Sequence, residues 1–198
     1  MKLRVMLILT IVAVLALSCA STQGGGNSGA SGGSWTFADP AAGTNGWELA
    51  SGEFYQYRGN IALSRDDTTL GKGLLRLDVD FTQHVTADWS EPKLKNDFPK
   101  SINMRGVTQF AFDFYYNPAL CTTGTFKAKV FSNSNGLQVD FSCNDIVGGE
   151  DAGNGFLKVP VSILIMPTAG FMTDMRFSVA GCLTDYKGPV FFDNMRWE

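Results

Sequence analysis

Apolar and polar residues alternate with a period of two along most of the chain after residue 34. Leu75, Leu77, Val79 and Phe81 are separated by Arg76, Asp78 and Asp80. Phe110, Phe112 and Phe114 alternate with Gln109, Ala111, Asp113 and Tyr115, and Leu137, Val139 and Phe141 with Gln138, Asp140 and Ser142. Leu157, Val159 and Val161 flank Lys158 and Pro160, while Met175, Phe177 and Val179 flank Arg176 and Ser178. A last strand is expected over Val190 to Trp197. Such alternation puts one face of each strand in a core and the other in water. Turn formers separate the runs: Gly71-Lys72-Gly73, Asn133-Ser134-Asn135-Gly136 and the glycine-rich stretch from Gly148 to Gly155. No long segment carries the 3.6-residue period of an amphipathic helix. The pattern predicts an all-β domain, a jelly-roll β-sandwich of two antiparallel sheets packed face to face. Pro160 cannot donate to a ladder, so its strand must be an edge or carry a bulge there.

The beginning of the chain reads differently. Lys2 and Arg4 precede an apolar run from Val5 to Leu17. That run falls short of the ~20 residues that span a bilayer and suits the apolar part of a secretory signal. It ends in Ala16-Leu17-Ser18-Cys19, which resembles a bacterial lipobox with Cys19 as the lipidated residue, although Ala16 stands where a leucine is usual. Ordinary cleavage after Ala20 is the alternative. The expected division is a signal peptide over 1–19, a flexible Gly/Ser linker over 20–34 and one β-sandwich domain over 35–198. Export would place the domain at the bacterial cell envelope or surface, held by lipid, or else secreted.

Composition narrows the chemistry. The whole chain carries 16 Lys and Arg against 19 Asp and Glu, and the leader takes two of those bases and none of the acids. A mildly acidic domain has no means of neutralising a phosphate backbone, so nucleic acid is excluded as a partner. One histidine, His84, rules out multi-histidine metal catalysis within one chain. It lies in Thr82-Gln83-His84-Val85-Thr86-Ala87, where a loop is expected, and no Gly-x-Ser-x-Gly elbow is present to complete a triad. With Cys19 lipidated, Cys121, Cys143 and Cys182 remain, enough for one bridge and a spare thiol, in spacings that match no zinc pattern.

Aromatic residues make up 12% of the chain, and some fall where a ligand would be met. In Asp88-Trp89-Ser90-Glu91-Pro92-Lys93-Leu94-Lys95-Asn96, strand spacing sends Trp89, Glu91, Lys93 and Lys95 to one side. If Leu94 faces the core, an indole lies on the solvent face beside a carboxylate and two amines. An aromatic ring can stack on the C–H face of a pyranose while the polar groups take its hydroxyls. The pattern also suits a tryptophan that covers core at a sheet rim beside a solvated charged strand. Trp47, Tyr55 and Tyr57 sit in an early Gly-, Gln- and Asn-containing segment; an extended chain puts Tyr55 and Tyr57 on one side. Gln138 is expected on a wet face, as are Lys127 and Lys129, although Phe131 shares the lysines' parity. Asp78 and Asp80 face the same way on one strand and read as a solvated face rather than a catalytic pair. Asp193, in Phe191-Phe192-Asp193-Asn194, is flanked by large apolar residues and needs a partner; a calcium ion shared with Asp39 is one candidate.

From Trp35 to Glu198 the chain resembles carbohydrate-binding module family 27, the mannan-binding modules of bacterial mannanases. The likeness rests on Phe37-Ala38-Asp39 followed by Trp47, on Leu70 to Leu77, on Asp88-Trp89-Ser90-Glu91-Pro92-Lys93-Leu94, and on Tyr186 to Arg196. The resemblance implies a jelly roll with a structural calcium ion and a concave face that binds a β-mannan chain on tryptophans. It carries Trp89, Glu91 and Lys93 over as ligand contacts, Asp193 and Asp39 as calcium ligands, and Trp47 or Tyr55 as an early platform ring. The family has a further tryptophan where this chain has Gly136-Leu137. The expected function is non-catalytic binding of β-mannan, glucomannan, galactomannan or a similar polysaccharide by a surface lipoprotein, monomeric, with Trp89, Glu91, Lys93, Trp47, Tyr55, Tyr57 and Gln138 in the site. A small sandwich hydrolase or lyase using Glu91, and a structural or adhesive lipoprotein, are the alternatives.

Overall fold

The computed structural model describes residues 33–83, 89–132, 144–146, 148–165 and 170–198. Among them run twelve strands: β1 (Ser34–Trp35), β2 (Trp47–Leu49), β3 (Ala62–Asp66), β4 (Leu74–Asp80), β5 (Lys93–Asn103), β6 (Gln109–Tyr116), β7 (Thr125–Phe131), β8 (Asn144–Ile146), β9 (Glu150–Gly153), β10 (Phe156–Leu164), β11 (Phe171–Cys182) and β12 (Lys187–Trp197). One sheet has the order β3-β4-β12-β6-β10-β9, with β1 also paired to β12; the other is β2-β5-β11-β7-β8. Every pairing is antiparallel. The β-sandwich expected from the alternation is the architecture found. The strand expected over residues 137–142 lies outside the described residues.

The core between the sheets is aromatic. Phe110, Phe112, Phe114, Phe126, Phe177 and Phe192 are all buried. Phe177 meets Phe112 edge-on at 4.9 Å between centroids and Phe192 at 5.3 Å, so residues of both sheets interlock; such pairs add ~0.5–1.5 kcal/mol each beyond their area. β7 keeps strict alternation, with Phe126, Ala128 and Val130 buried and Thr125, Lys127, Lys129 and Phe131 half-buried. β6 departs from the one-face expectation. Tyr115 is buried with Leu74, Phe156 and Phe191 in a second apolar cluster, to which Leu70 and Ala152 add cover. β6 lies between β12 and β10, so its outer face is roofed by residues brought in from neighbouring strands and turns. Pro160 is exposed on β10, and among the described residues β9 pairs only with Phe156 to Lys158, so the proline lies beyond that pairing.

Between Asp97↔Asp174 and Ile102↔Met172 the β5–β11 register slips. Residues 98–101 of β5 stand opposite Thr173 alone, a large bulge that contains Pro99. Extra residues in one strand bend it and re-aim its side chains.

Candidate functional site

The five-stranded sheet carries its polar residues on the face away from the core. The register sets Ser178 of β11 between Lys93 of β5 and Lys129 of β7, and Arg176 between Lys95 and Phe131. The central strand offers small residues there, Ser178 and Ala180, while its neighbours offer lysines. Short side chains in the middle and long ones beside them make a trough.

Glu91 lies at one end of this trough and is only 2% exposed. Its Oε1 accepts a hydrogen bond from the Ser178 hydroxyl at 3.1 Å and has the ammonium groups of Lys129 and Lys93 at 3.4 and 3.8 Å. A carboxylate this deep requires such partners, because burying it unpaired would cost several kcal/mol. Both ammonium groups also lie over the ring of Phe131, at 5.1 and 5.3 Å from its centroid. The parity that placed Phe131 with the lysines therefore held; the ring belongs to the polar face.

Ser90 and Gly181 exchange backbone hydrogen bonds at 2.9 Å, and Glu91 and Tyr55 at 2.8 and 3.0 Å. These bonds extend the ladder past Pro92 and strap the segment at residue 55 onto it. Tyr55 and Trp89 thereby meet with ring centroids 6.3 Å apart, tilted by 58°. Tyr55 is 47% exposed and Trp89 half-buried. The indole nitrogen of Trp89 is buried.

Arg176 is the residue that alternation alone did not single out. Its Nε donates to both Glu53 oxygens at 3.1 and 3.2 Å, and Nη1 reaches Asp174 at 3.2 Å and Asp97 at 3.3 Å. Burial works against its charge, but the bonds to Glu53 and Asp97 and the nearby Asp174 carboxylate outweigh it and raise its pKa. Its parity as a wet residue was legible; its place beside Lys95 and Phe131 needed the strand pairing.

Three expected ligand contacts are corrected or untouched. Trp47 is 1% exposed and packs on Trp35 and Phe177. β2 pairs Trp47 with Asn96 and Glu48 with Lys95, so it is Glu48 that faces outward and the indole that enters the core. Tyr57 is also buried; its hydroxyl donates to the Asn60 carbonyl at 2.8 Å and accepts from the Asp80 amide at 2.7 Å. Burial, against the help of the Asp80 amide, pushes its pKa up to about 12. Gln56 has φ of 50°, and that left-handed residue ends the extended alternation that would have kept Tyr57 beside Tyr55. Gln138 lies outside the described residues, as do His84, Cys19 and Cys143. Cys121 forms no disulfide among the described residues.

The calcium expectation meets a different donor set. Asp39 caps a short 3-10 turn, its Oδ1 accepting from the Ala41 amide at 2.9 Å. Asp193 accepts from the Asn194 amide at 2.9 Å and faces the Lys72 ammonium at 3.6 Å. Lys72 also bonds the Tyr115 hydroxyl at 2.6 Å. Among the described residues no three His, Cys, Asp or Glu side chains gather as a metal cluster. Lys72 supplies a positive charge beside Asp193. Asp78 likewise pairs with Arg76 at 2.8 Å, in keeping with a structural role.

No family model matches the chain, and no curated protein matches its sequence. Solved structures do match its fold. A CBM27-1 module of Caldicellulosiruptor saccharolyticus in complex with mannohexaose superposes with a TM-score of 0.63 at 20% identity, covering 83% of this chain and 96% of that one. TmCBM27, described for specific mannan recognition, gives 0.62 at 18% identity over 83% and 94%. CBM28, described as a module specific for non-crystalline cellulose, gives 0.60 at 22% over 77% and 88%. The chain has the fold of these carbohydrate-binding modules. Among the described residues, every strand residue except Ser34 falls within 35–198.

Proposed function

We propose that the protein is a non-catalytic polysaccharide-binding module that takes a β-linked chain, β-mannan or a glucomannan, along the outer face of the five-stranded sheet. The observation that carries this reading is the trough itself. Tyr55 and Trp89 stand as rings at one end, and Glu91, Lys93, Lys129, Ser178 and Arg176 line the rest with fixed donors and acceptors. Rings supply stacking for the apolar sugar faces, and a pre-paired polar floor takes hydroxyls with little ordering cost. The resemblance of the Trp89 segment to mannan-binding modules and the mannan ligands of two structural neighbours support β-mannan as the chain bound. Lipidation at Cys19 would tether the module at the cell surface, where many copies raise avidity.

A hydrolytic role for Glu91 is disfavoured by its surroundings. Its side-chain neighbours are a serine and two lysines, whereas a glycosidase of the usual kind sets two carboxyl groups across the scissile bond. Native affinity electrophoresis of the full chain in glucomannan tests the proposal. Retarded migration with no reducing sugar released is expected. Equal migration with and without polysaccharide would overturn the binding reading, and sugar release lost on Glu91→Gln would overturn the non-catalytic one.

A further inference from the structure

A second cleft borders the trough at Asp97, and we propose that it is a separate site for one or two hexose units, such as the end of a glycan chain. The proposal rests on the carbohydrate-binding reading for its ligand class and on independent geometry for its place. The bulge of residues 98–101 in β5 opens this cleft against β1 and the turn before β2. Its volume of about 470 Å³ lies within the range of small-molecule pockets. Trp35, Phe98, Pro99 and Ile102 form apolar walls, and Asn45 and Asn96 contribute to the lining.

Asn96 points to a ligand. It is 3% exposed. Its Nδ2 donates to the Asn45 carbonyl at 3.1 Å, while its Oδ1 takes no hydrogen bond among the described residues. A hydroxyl donor entering the cleft can bond that oxygen. Gly46, at φ of 80°, lies beside the same amide: a Cβ there would sit 3.3 Å from Nδ2 and 3.5 Å from Oδ1. The glycine keeps the approach to Asn96 clear. Lys100 on the rim is exposed and makes no ion pair among the described residues, which leaves an ammonium donor for a second hydroxyl. Aromatic and aliphatic walls, one open amide oxygen and one free amine suit a ring with an apolar face and several hydroxyls. The linker sequence from Gln23 to Gly32 has no apolar side chain larger than alanine, so it offers nothing of matching chemistry to fill the apolar walls.

The test is a titration of the isotopically labelled full chain in detergent with mannobiose and with cellobiose, followed by amide NMR. At least one disaccharide should shift the Asn96 side-chain amide and the Gly46 backbone amide saturably, and those shifts should persist in Trp89→Ala. Asn96→Ala should weaken them at least five-fold. Ser34→Leu, which narrows the mouth from an exposed position, should do the same and serves if Asn96→Ala fails to fold. Saturable shifts confined to the Tyr55 and Trp89 surface and lost in Trp89→Ala would overturn the second site while leaving the trough intact. No saturable shift at Asn96 with either sugar would also overturn it, whereas loss of glucomannan retardation by the unaltered protein would count against the trough reading.

Discussion

Trp47 and Trp89 make a controlled pair, because the same substitution should act on folding at one and on binding at the other. Trp47 is in the core against Trp35 and Phe177. Replacing a buried tryptophan by alanine removes its transfer free energy and leaves a cavity, together ~3–5 kcal/mol. In a protein of 198 residues, each kcal/mol lowers the melting temperature by ~2–4 °C, so Trp47→Ala should melt ~6–20 °C lower. Trp89 is half-buried and shares its ring contact with Tyr55. Its loss should cost less stability but remove a stacking platform worth ~1–3 kcal/mol, by analogy with bases stacked on aromatic side chains. That is roughly a 5–150-fold weakening of glucomannan binding. Thermal unfolding by circular dichroism gives the first quantity, and affinity electrophoresis over a polysaccharide series the second. A Trp47→Ala protein that melts normally but loses retardation would refute the placement of β2. A Trp89→Ala protein that binds as tightly as the parent would refute the site.

Two further outcomes follow from other parts of the molecule. Asp66 is partly desolvated, which works to raise its pKa, but hydrogen bonds from Thr68, Thr69 and Arg76 outweigh that and hold it at about 2, below its usual 3.8. A carboxyl depressed in the folded state contributes stability above its unfolded pKa and loses it as pH falls through the folded value. Stability should therefore decline between about pH 4 and pH 2, less steeply in Asp66→Asn; identical acid profiles for the two proteins would refute this. For Asp193, Lys72→Met should lower the melting temperature by a few degrees while EDTA leaves it unchanged, since the Lys72 ammonium faces the carboxylate at 3.6 Å. A large fall with EDTA would show that a cation binds there after all.

The sandwich was legible because period-two alternation is imposed by the core itself: Leu75, Leu77 and Val79, or Phe126, Ala128 and Val130, could point inward only together. The candidate site was legible where the two-residue parity persists, as at Glu91, Lys93 and Lys95 on either side of Pro92. It failed where one residue breaks the period. The left-handed Gln56 separated Tyr55 from Tyr57, and nothing in the residue types announces that turn. β2 is three residues long, too short for alternation to decide between Trp47 and Glu48. Arg176 and Phe131 were assignable to a wet parity, but joining them to Glu91 required knowing that β11 lies between β5 and β7. The carboxylate partners of Arg176 come from Glu53, Asp97 and Asp174, spread over more than a hundred residues of sequence, and no local pattern links them.

The charges of the trough bear on what it binds. Lys93 and Lys129 are answered by Glu91, Arg176 by Glu53, Asp97 and Asp174, and Lys95 by Glu48 and Asp97. Each cation stands beside a carboxylate, so the face presents many donors and acceptors without a field of one sign. A polyanion would meet carboxylates wherever it met lysines, and a polycation the reverse; a neutral polyhydroxyl chain meets no such opposition. Hydrogen bonds and stacking at short range also escape ionic screening, which reduces the Debye length from ~10 Å at 0.1 M salt to ~3 Å at 1 M. Retardation in glucomannan should thus change less than about two-fold between those salt concentrations, an estimate that follows from the absence of a long-range term in the attraction. A ten-fold loss over the same range would mean that net charge, and not the paired floor, draws the ligand in.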